Sequence, residues 1–315
     1  MKNFKNCLVT GGAGFIGSHL VERLLKEGRR VTVIDDLSEG KWENLPNHPN
    51  LISVEASILG NISNIVAQNE VIFHLAAIPR LQRSLAKPWQ THRVNVEGTL
   101  KLLLAARKHK IRKFIFASSS SVYGNQNNLP FIENMTPNPL VPYSLHKLIG
   151  EKYCQMFSDL WGLETICLRY FNVYGLGMNP DGPYANLIPK FMKLISQNKA
   201  PTINGDGEQR RDFTYVSDTV EATILSAESR LSGEIFNIGF GKAVSVNDVA
   251  HTINRLMGKN IKPVHGPALI EPKATLSSSQ KAKRNLGWKP KVSLEEGLKM
   301  MLFKASPFRT EGDAF

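Results

Sequence analysis

Short apolar runs recur along the first half of the chain, separated by longer stretches with helical spacing. In those stretches apolar side chains return every three or four residues, as at Ile16, Leu20 and Leu24. The runs have the length of buried strands and lie at residues 7–9, 30–34, 71–75, 113–117, 164–168 and, more weakly, 51–54. Strands that alternate with helices predict an α/β fold built on a doubly wound parallel sheet.

Three glycines follow the first apolar run at three-residue steps. Gly11, Gly14 and Gly17 lie between the predicted strand and the first helical stripe. Glycine at these positions allows a tight turn, a close approach of ligand to backbone, and close packing of helix on strand. Free N–H groups at the helix N-terminus then bind a pyrophosphate. Such glycines can also be ordinary turn residues, so the motif needs a second signal.

An acidic residue supplies that second signal. Asp35 ends the next predicted strand, at about the twenty-residue distance where a carboxylate meets the adenine ribose. A carboxylate accepts hydrogen bonds from both ribose hydroxyls and repels a 2′-phosphate. The sequence therefore predicts a Rossmann domain that binds NAD in preference to NADP.

Glycine and proline become frequent after residue 175, which indicates a second lobe. We expect residues 1–172 to form the NAD-binding domain, to which 213–240 return. Residues 210–216 and 234–238 are predicted to rejoin the sheet. Residues 173–212 and 241–306 are expected to form a smaller, mostly C-terminal α/β substrate lobe. Residues 307–315 are predicted to be a loose tail.

Composition excludes several classes of protein. The 315 residues contain 42% hydrophobic residues and three cysteines without C-x-x-C spacing, and no long apolar run. This is typical of a cytoplasmic protein without a membrane partner. The net charge of +12 raises the possibility of nucleic-acid binding, but the densest basic run, residues 107–113, has no interleaved aromatics and suits a helix end. We therefore expect no nucleic-acid partner.

A tyrosine and a lysine four residues apart form the candidate catalytic pair. Tyr143 and Lys147 open a predicted helix and share one face of it. A tyrosine hydroxyl has an unperturbed pKa of about 10, and lowering that pKa by about three requires roughly 4 kcal/mol. The lysine cation and an oxidised nicotinamide can supply this. Tyr143 would then exchange a hydroxyl proton with the substrate, while Ser119 or Ser120 binds the same oxygen.

With these motifs in this order, the chain resembles the extended short-chain dehydrogenase/reductase family, and within it the nucleotide-sugar epimerases, over residues 9–302. The resemblance implies NAD as cofactor, a UDP-sugar as substrate and a homodimer through helices near 94–108 and 143–160. It implies cofactor contacts from Gly11, Ala13, Gly14, Phe15, Ile16, Gly17, Asp35, Asp36, Ser38, Gly40, Ser57, Ile58, Leu75, Ala76, Ala77, Asn95, Tyr143, Lys147 and Tyr170. The histidines His19, His74 and His146 show no metal-ligand spacing, so we expect no metal.

The same resemblance implies a set of substrate contacts. Asn172 and Arg211 would hold the diphosphate, and a guanidinium suits that role because it matches phosphate oxygens. The whole set is Arg83, Ser84, Ser119, Ser121, Asn172, Asn186, Thr202, Ile203, Arg211, Glu271 and Thr275. Thr275 falls where the family has a gate residue, whose small size admits an N-acetyl group, although it can equally be an ordinary loop threonine.

The reaction is predicted from what is missing. The family's 4,6-dehydratases have a carboxylate pair where this chain has Ser120 and Ser121, so we expect a 4-epimerase acting on UDP-GlcNAc/UDP-GalNAc, UDP-Glc/UDP-Gal, or both. The alternatives are another UDP-sugar modification, such as uronic acid epimerisation, and a non-catalytic dinucleotide- or RNA-binding relative. Three positions depart from the family: Ala268 replaces a phosphate-binding arginine, Ser57 an adenine-binding aspartate and Ser278 another frequent aspartate.

Overall fold

The computed structural model describes residues 4–79, 81–181, 186–268 and 272–304. The strands are β1 (Asn6–Thr10), β2 (Arg30–Asp35), β3 (Leu51–Glu55), β4 (Val71–His74), β5 (Lys113–Ser119), β6 (Glu164–Tyr170), β7 (Val173–Tyr174), β8 (Thr202–Asn204), β9 (Arg210–Asp212), β10 (Thr214–Tyr215), β11 (Glu234–Ile238), β12 (Ala243–Ser245) and β13 (Val264–Gly266). The helices are α1 (Phe15–Lys26), α2 (Ser63–Val66), α3 (Leu81–Ala86), α4 (Pro88–His92), α5 (Thr99–Lys108), α6 (Pro142–Trp161), α7 (Leu187–Ser196), α8 (Val216–Glu228), α9 (Val246–Leu256), α10 (Gln280–Leu286) and α11 (Leu294–Lys304).

A parallel sheet forms the centre of the molecule. In the described part of the chain it has seven strands in the order β11-β6-β5-β4-β1-β2-β3. Every adjacent pair is parallel, so all the carboxyl ends lie along one edge. The order reverses between β1 and β4, and the crevice at such a reversal is where doubly wound folds bind ligands. The predicted fold class is confirmed.

Helices cover both faces of this sheet because its strands are apolar on both sides. Helices α5 and α6 cover one face, where Leu8, Ile72, Phe114 and Phe116 pack against Leu102, Cys154 and Phe157. Helices α1 and α8 cover the other, where Val9, Val33, Phe73 and Ile115 pack with Leu20 and Val220. Alternate residues of one strand thus belong to different cores, as a strand period of two requires.

The assignment of residues 210–216 to the central sheet was wrong. Strand β9 pairs with β12 in an antiparallel two-stranded sheet, and β10 pairs with β7. These strands are two or three residues long and follow a glycine-rich turn, so they pair with nearby short segments. Strand β11 does join the central sheet, beside β6.

The helix predicted near residues 94–108 begins irregularly. Its first six residues, Arg93–Gly98, are π-helical, and the regular helix α5 follows. Among the described residues, no helix is both long and apolar enough to cross a membrane. The predicted substrate residue Glu271 and the predicted tail at 307–315 lie outside the described residues.

Candidate active site

The glycine turn joins β1 to α1 at the carboxyl edge of the sheet. Gly11 has φ +71°, and a Cβ there would lie 2.7 Å from the Ala76 nitrogen. A Cβ on Gly17 would collide with the Gly11 carbonyl oxygen, so helix and turn could not pack as closely. Gly14 immediately precedes α1. The first N–H groups of a helix have no intrahelical acceptor, so this turn is suited to binding a pyrophosphate.

Asp35 is already oriented at the end of β2. Its two carboxylate oxygens accept the N–H groups of Ala13 at 3.0 Å and Leu37 at 2.9 Å. The side chain is buried, and burial raises the pKa of this carboxyl above its usual value. Ribose hydroxyls at this point would be further donors to the same oxygens. The residues present therefore suit an adenosine ribose.

The loop after Asp35 packs onto the glycine turn. Asp36 accepts the Ser38 N–H at 3.1 Å and its hydroxyl at 2.6 Å, which fixes the loop. A Cβ on Gly40 would lie 2.7 Å from the Ala13 carbonyl carbon. The predicted cofactor residues of this loop therefore lie directly beside the turn.

The segment that follows β4 packs against the glycine turn. The Ala76 N–H donates to the Thr10 hydroxyl at 3.3 Å, which holds Leu75, Ala76 and Ala77 near Gly11. The Asn95 amide bonds both backbone groups of Ile78, at 2.8 and 3.0 Å, so its side chain holds this segment in place.

Three other predicted cofactor residues already bond or pack against protein groups. Ser57 accepts the Leu59 N–H at 3.3 Å, and Ile58 is buried against Gly98. The Tyr170 hydroxyl bonds the Thr223 hydroxyl of α8 at 2.7 Å. Tyr170 thus faces α8, and its cofactor contact stays a prediction.

Helix α6 brings the candidate catalytic pair to the end of β5. The Lys147 ammonium donates to the Ala117 carbonyl at 2.7 Å and lies 5.8 Å from the centre of the Tyr143 ring. Ser119, two residues after Ala117, is the last residue of β5. Lys147 is buried, and burial lowers its pKa to about 8, against the opposing effects of Glu151 and Cys154. A positively charged ammonium that is shielded from water beside a phenol lowers the pKa of that phenol.

A serine-rich turn follows β5. The Ser119 hydroxyl accepts the Ser121 N–H at 3.2 Å as the 3₁₀ turn Ser120–Tyr123 begins. The buried Ser121 hydroxyl oxygen has no hydrogen-bond partner among the described residues. A buried hydroxyl without a partner is costly, so this atom is suited to meeting a polar substrate group.

The predicted substrate contacts Arg83 and Ser84 have other bonds. Ser84 is fully buried, donates to the Leu81 carbonyl at 2.7 Å and accepts the Tyr143 N–H at 3.1 Å. Arg83 forms an ion pair with Glu39. Neither is among the described residues that line the cavity below. Ser84 therefore supports the start of α6, which sequence reasoning did not foresee.

A cavity of about 280 Å³ opens beyond β6. Asn172, which lines the cavity, lies two residues after Tyr170. Tyr170 pairs with Ser119, so the cavity adjoins the end of β5. Five predicted substrate residues line it together: Asn172, Asn186, Thr202, Ile203 and Arg211. The structure therefore brings together residues that are up to 39 positions apart in the chain.

The cavity is electropositive. Its lining includes Arg211 and Lys190, whereas none of the described lining residues is Asp or Glu. Lys190, on the first turn of α7, and Gln209 were not predicted from the sequence. A helical pattern could have placed Lys190 one turn after Asn186. The two cations suit a diphosphate. Ala268, where the family has an arginine, lies against Gly205, just beyond β8.

Asp212 organises one wall of this cavity. Its buried carboxylate accepts the N–H groups of Phe240 and Gly241, each at 3.0 Å, and the Ser277 hydroxyl at 2.6 Å. The Asn172 amide in turn donates to the Asp212 carbonyl at 2.9 Å and to the Thr275 hydroxyl at 3.3 Å. Thr275 therefore bonds a residue that lines the cavity, Asn172. Nothing in the local sequence indicated the role of Asp212.

His74 has a structural position at this edge of the sheet. His74 bonds the hydroxyls of Thr10 at 2.8 Å and Thr99 at 2.9 Å, and burial lowers its pKa to about 3. In the described ranges no group of three or more His, Cys, Asp or Glu side chains is arranged to hold a metal ion.

Comparison with known proteins gives full-length matches. A UDP-glucose 4-epimerase of Mycolicibacterium smegmatis is 37% identical over 299 residues, covering 92% of this chain and 95% of that protein. A UDP-N-acetyl-alpha-D-glucosaminuronate decarboxylase of Bacillus cytotoxicus is 39% identical over 311 residues, covering 94% and 96%.

A solved structure is equally similar. It is the UDP-N-acetylglucosamine 4-epimerase from Methanobrevibacter ruminantium M1 in complex with UDP-N-acetylmuramic acid, with a TM-score of 0.91 and 36% identity. The match covers 96% of this chain and 100% of that one.

The NAD dependent epimerase/dehydratase family matches residues 7–239. The family's description confirms the cofactor predicted from Gly11, Gly14, Gly17 and Asp35. With this match and the relatives above, the chain belongs to the NAD dependent epimerase/dehydratase family.

Proposed function

We propose that this chain is an isomerase, an NAD-dependent UDP-sugar 4-epimerase that interconverts C4 epimers through a 4-keto intermediate. The observation that carries the proposal is the position of Tyr143 and Lys147, held on α6 against the end of β5. In the central sheet β5 lies between β1, which leads into the glycine turn, and β6, beyond which the cavity opens. The names of the two 4-epimerases described above support it.

The proposed mechanism assigns one role to each group. The glycine turn and Asp35 would hold NAD, which would supply reversible hydride transfer at C4 of the sugar. Tyr143 removes the proton from the C4 hydroxyl and later gives it back, while Lys147 stabilises the phenolate. Ser119, with Ser120 beside it, binds the same oxygen. Arg211, Lys190 and Asn172 hold the diphosphate while the keto sugar turns over.

The proposed substrates are UDP-GlcNAc and UDP-GalNAc, UDP-Glc and UDP-Gal, or both pairs. Thr275 supports the N-acetylated pair because its side chain is small and bonds Asn172, which lines the cavity. Glu271 remains a proposed substrate contact.

Another UDP-sugar modification is the second candidate, favoured by the decarboxylase relative. Oxidation at C4 of a UDP-uronic acid gives a β-keto acid, which can lose carbon dioxide. The same residues could therefore serve epimerisation or decarboxylation, depending on the sugar.

The deciding experiment is incubation of purified protein with UDP-Glc, UDP-GlcNAc and UDP-glucuronic acid separately, followed by separation of the products. A C4 epimer of either neutral sugar supports the proposal. Carbon dioxide release or epimerisation with the uronic acid alone supports the second candidate. If no substrate reduces the nicotinamide and nothing is produced, the chain is a non-catalytic relative.

We further propose a cytoplasmic homodimer with a cofactor lobe (1–172 and 213–240) and a substrate lobe (173–212 and 241–306). Leu104 on α5 and Leu145, Leu160 and Trp161 on α6 support the dimer, since each is between 41% and 63% exposed on these neighbouring helices. Light scattering should give twice the chain mass for the wild type and one chain mass for Leu160→Glu. A monomeric wild type would contradict this.

A further inference from the structure

Helix α6 is attached to the end of β5 at two successive residues. The Lys147 ammonium donates to the Ala117 carbonyl at 2.7 Å. One helical turn later, Glu151 accepts the Ser118 hydroxyl at 2.5 Å. The next residue of the strand is Ser119, the proposed substrate-binding serine. These two bonds therefore fix where the strand end lies relative to α6.

Glu151 is itself held from the neighbouring strand. Arg169 on β6 donates from Nε to one carboxylate oxygen and from Nη2 to the other, both at 2.8 Å. The Glu151 side chain is 0% exposed and that of Arg169 is 2% exposed. The Arg169 guanidinium also lies 4.6 Å from the centre of the Tyr123 ring. A bidentate pair of this kind fixes orientation as well as charge.

The charge of Glu151 also bears on Lys147. Burial lowers the pKa of Lys147, and the Glu151 carboxylate opposes this shift. Other titratable groups also interact with Lys147. Two are neutral histidines, His74 on β4 and His146 on α6, whose pKa values are lowered by burial to about 3 and about 4. Another two are the buried Cys154 thiol and the Tyr143 phenol, both on α6. Glu151 is thus the anion that sustains the Lys147 cation, and Arg169 is the nearby cation that Glu151 neutralises.

We propose that Glu151, held by Ser118 and Arg169, is a positioning residue of the reaction, which keeps Lys147 charged and keeps Ser119 in register with Tyr143. This rests on the proposed function of Tyr143 and Lys147. Glu151 has no contact with the substrate or the cofactor in this proposal. It acts through Lys147 and through the strand end.

The test uses Glu151→Gln, with Ser118→Ala as the variant that keeps the charge. Removing the carboxylate lowers the pKa of Lys147 further, so the alkaline limb of kcat for Glu151→Gln should move to lower pH. Its maximal kcat should fall on the order of 10²-fold through misplacement, with NAD still bound. Ser118→Ala should lose a few-fold in kcat without moving the limb.

Asp218→Asn is the matched control for stability. Asp218 is a buried carboxylate on α8 that accepts the N–H groups of Lys291 and Val292, each at 2.9 Å. The Asp218→Asn variant should have a lower thermal stability, and the alkaline limb of its kcat profile should not move. If Glu151→Gln does not fold, Ser118→Ala carries the test, and wild-type kcat in that variant would overturn the proposal.

A readout independent of activity separates this inference from the proposed function. The Lys147 side chain can be followed by carbon-13 NMR of labelled lysine and assigned by its loss in Lys147→Met. A titration midpoint for Glu151→Gln below the wild-type value supports the coupling, even if no UDP-sugar is converted. A folded Glu151→Gln protein with unchanged midpoint and kcat overturns it, while wild-type epimerisation would still support the proposed function.

Discussion

The cofactor edge and the basic cavity of this molecule are built in different ways. The edge is formed by the ends of β1, β2, β4 and β5, which adjoin in one hydrogen-bonded sheet. The cavity is lined from α7, β8, β9 and the segment after β6. The Asn172 side chain joins that segment to β9, and the Asp212 carboxylate joins β9 to Phe240, Gly241 and Ser277. The geometry of the edge is therefore set by the sheet, and that of the cavity by a few long-range hydrogen bonds. Substitutions at the edge should affect chemistry, and substitutions in the cavity should affect binding and selectivity.

The largest effect is expected at the edge. Tyr143→Phe removes the proposed proton-transfer group, so kcat should fall about 10²- to 10⁴-fold. The bound NAD and the affinity for UDP should not change, because the glycine turn and the cavity are untouched. Steady-state kinetics and the cofactor content of the purified protein measure this. Near-normal turnover in Tyr143→Phe would disprove the assignment of the base.

The next effect is expected in the cavity. Arg211→Ala removes a charged donor to phosphate, which is worth roughly 1.5–3 kcal/mol, so UDP should bind about 10- to 100-fold more weakly. The neighbouring variant Arg210→Ala is the control, since Arg210 donates to the Ala243 carbonyl and is not among the described lining residues. Calorimetric titration with UDP compares the two. Equal losses would show that the cavity does not hold the diphosphate.

A smaller and selective effect is expected at Thr275. Thr275→Tyr fills the space proposed for the N-acetyl group, so kcat/KM should fall about tenfold or more for N-acetylated substrates and less for the others. Thr275→Val keeps the volume and loses only the hydrogen bond from Asn172. It should therefore keep the selectivity of the wild type. Parallel loss on both sugar types in Thr275→Tyr would count against the gate.

The smallest effect is expected at Ser84, whose hydroxyl oxygen accepts the Tyr143 N–H at the start of α6. Ser84→Ala removes the acceptor of the Tyr143 N–H, worth about 1 kcal/mol, so kcat should fall a few-fold and thermal stability slightly. Ser226→Ala is the control, because that buried hydroxyl bonds the Ala222 carbonyl within α8, away from the edge. It should lose stability without losing kcat. A kcat loss as large as that of Tyr143→Phe would give Ser84 a role beyond support.

The sequence predicted the local structure of the candidate site correctly where the governing interactions are local, although the roles of its residues stay predictions. The glycine turn, Asp35 and the α6 pair are set by spacing along one strand–helix unit, and the apolar runs mark strands buried on both faces. Residues 210–216 were misassigned because strands of two or three residues carry no periodicity that could tell one sheet from another. Lys190, Gln209 and Asp212 were missed because their positions depend on how distant segments pack.

Asp35 has a consequence for attempts to change the cofactor. Both of its oxygens accept main-chain N–H groups, from Ala13 in the glycine turn and Leu37 in the following loop, so we expect that the negative charge cannot swing away to admit a 2′-phosphate. Replacing this one side chain by an apolar residue would leave those two amides without their acceptor and would remove one of the contacts that hold the loop ahead of Gly40. Conversion to NADP would therefore require redesign of the whole turn from Asp35 to Gly40, with a basic residue introduced at the same time.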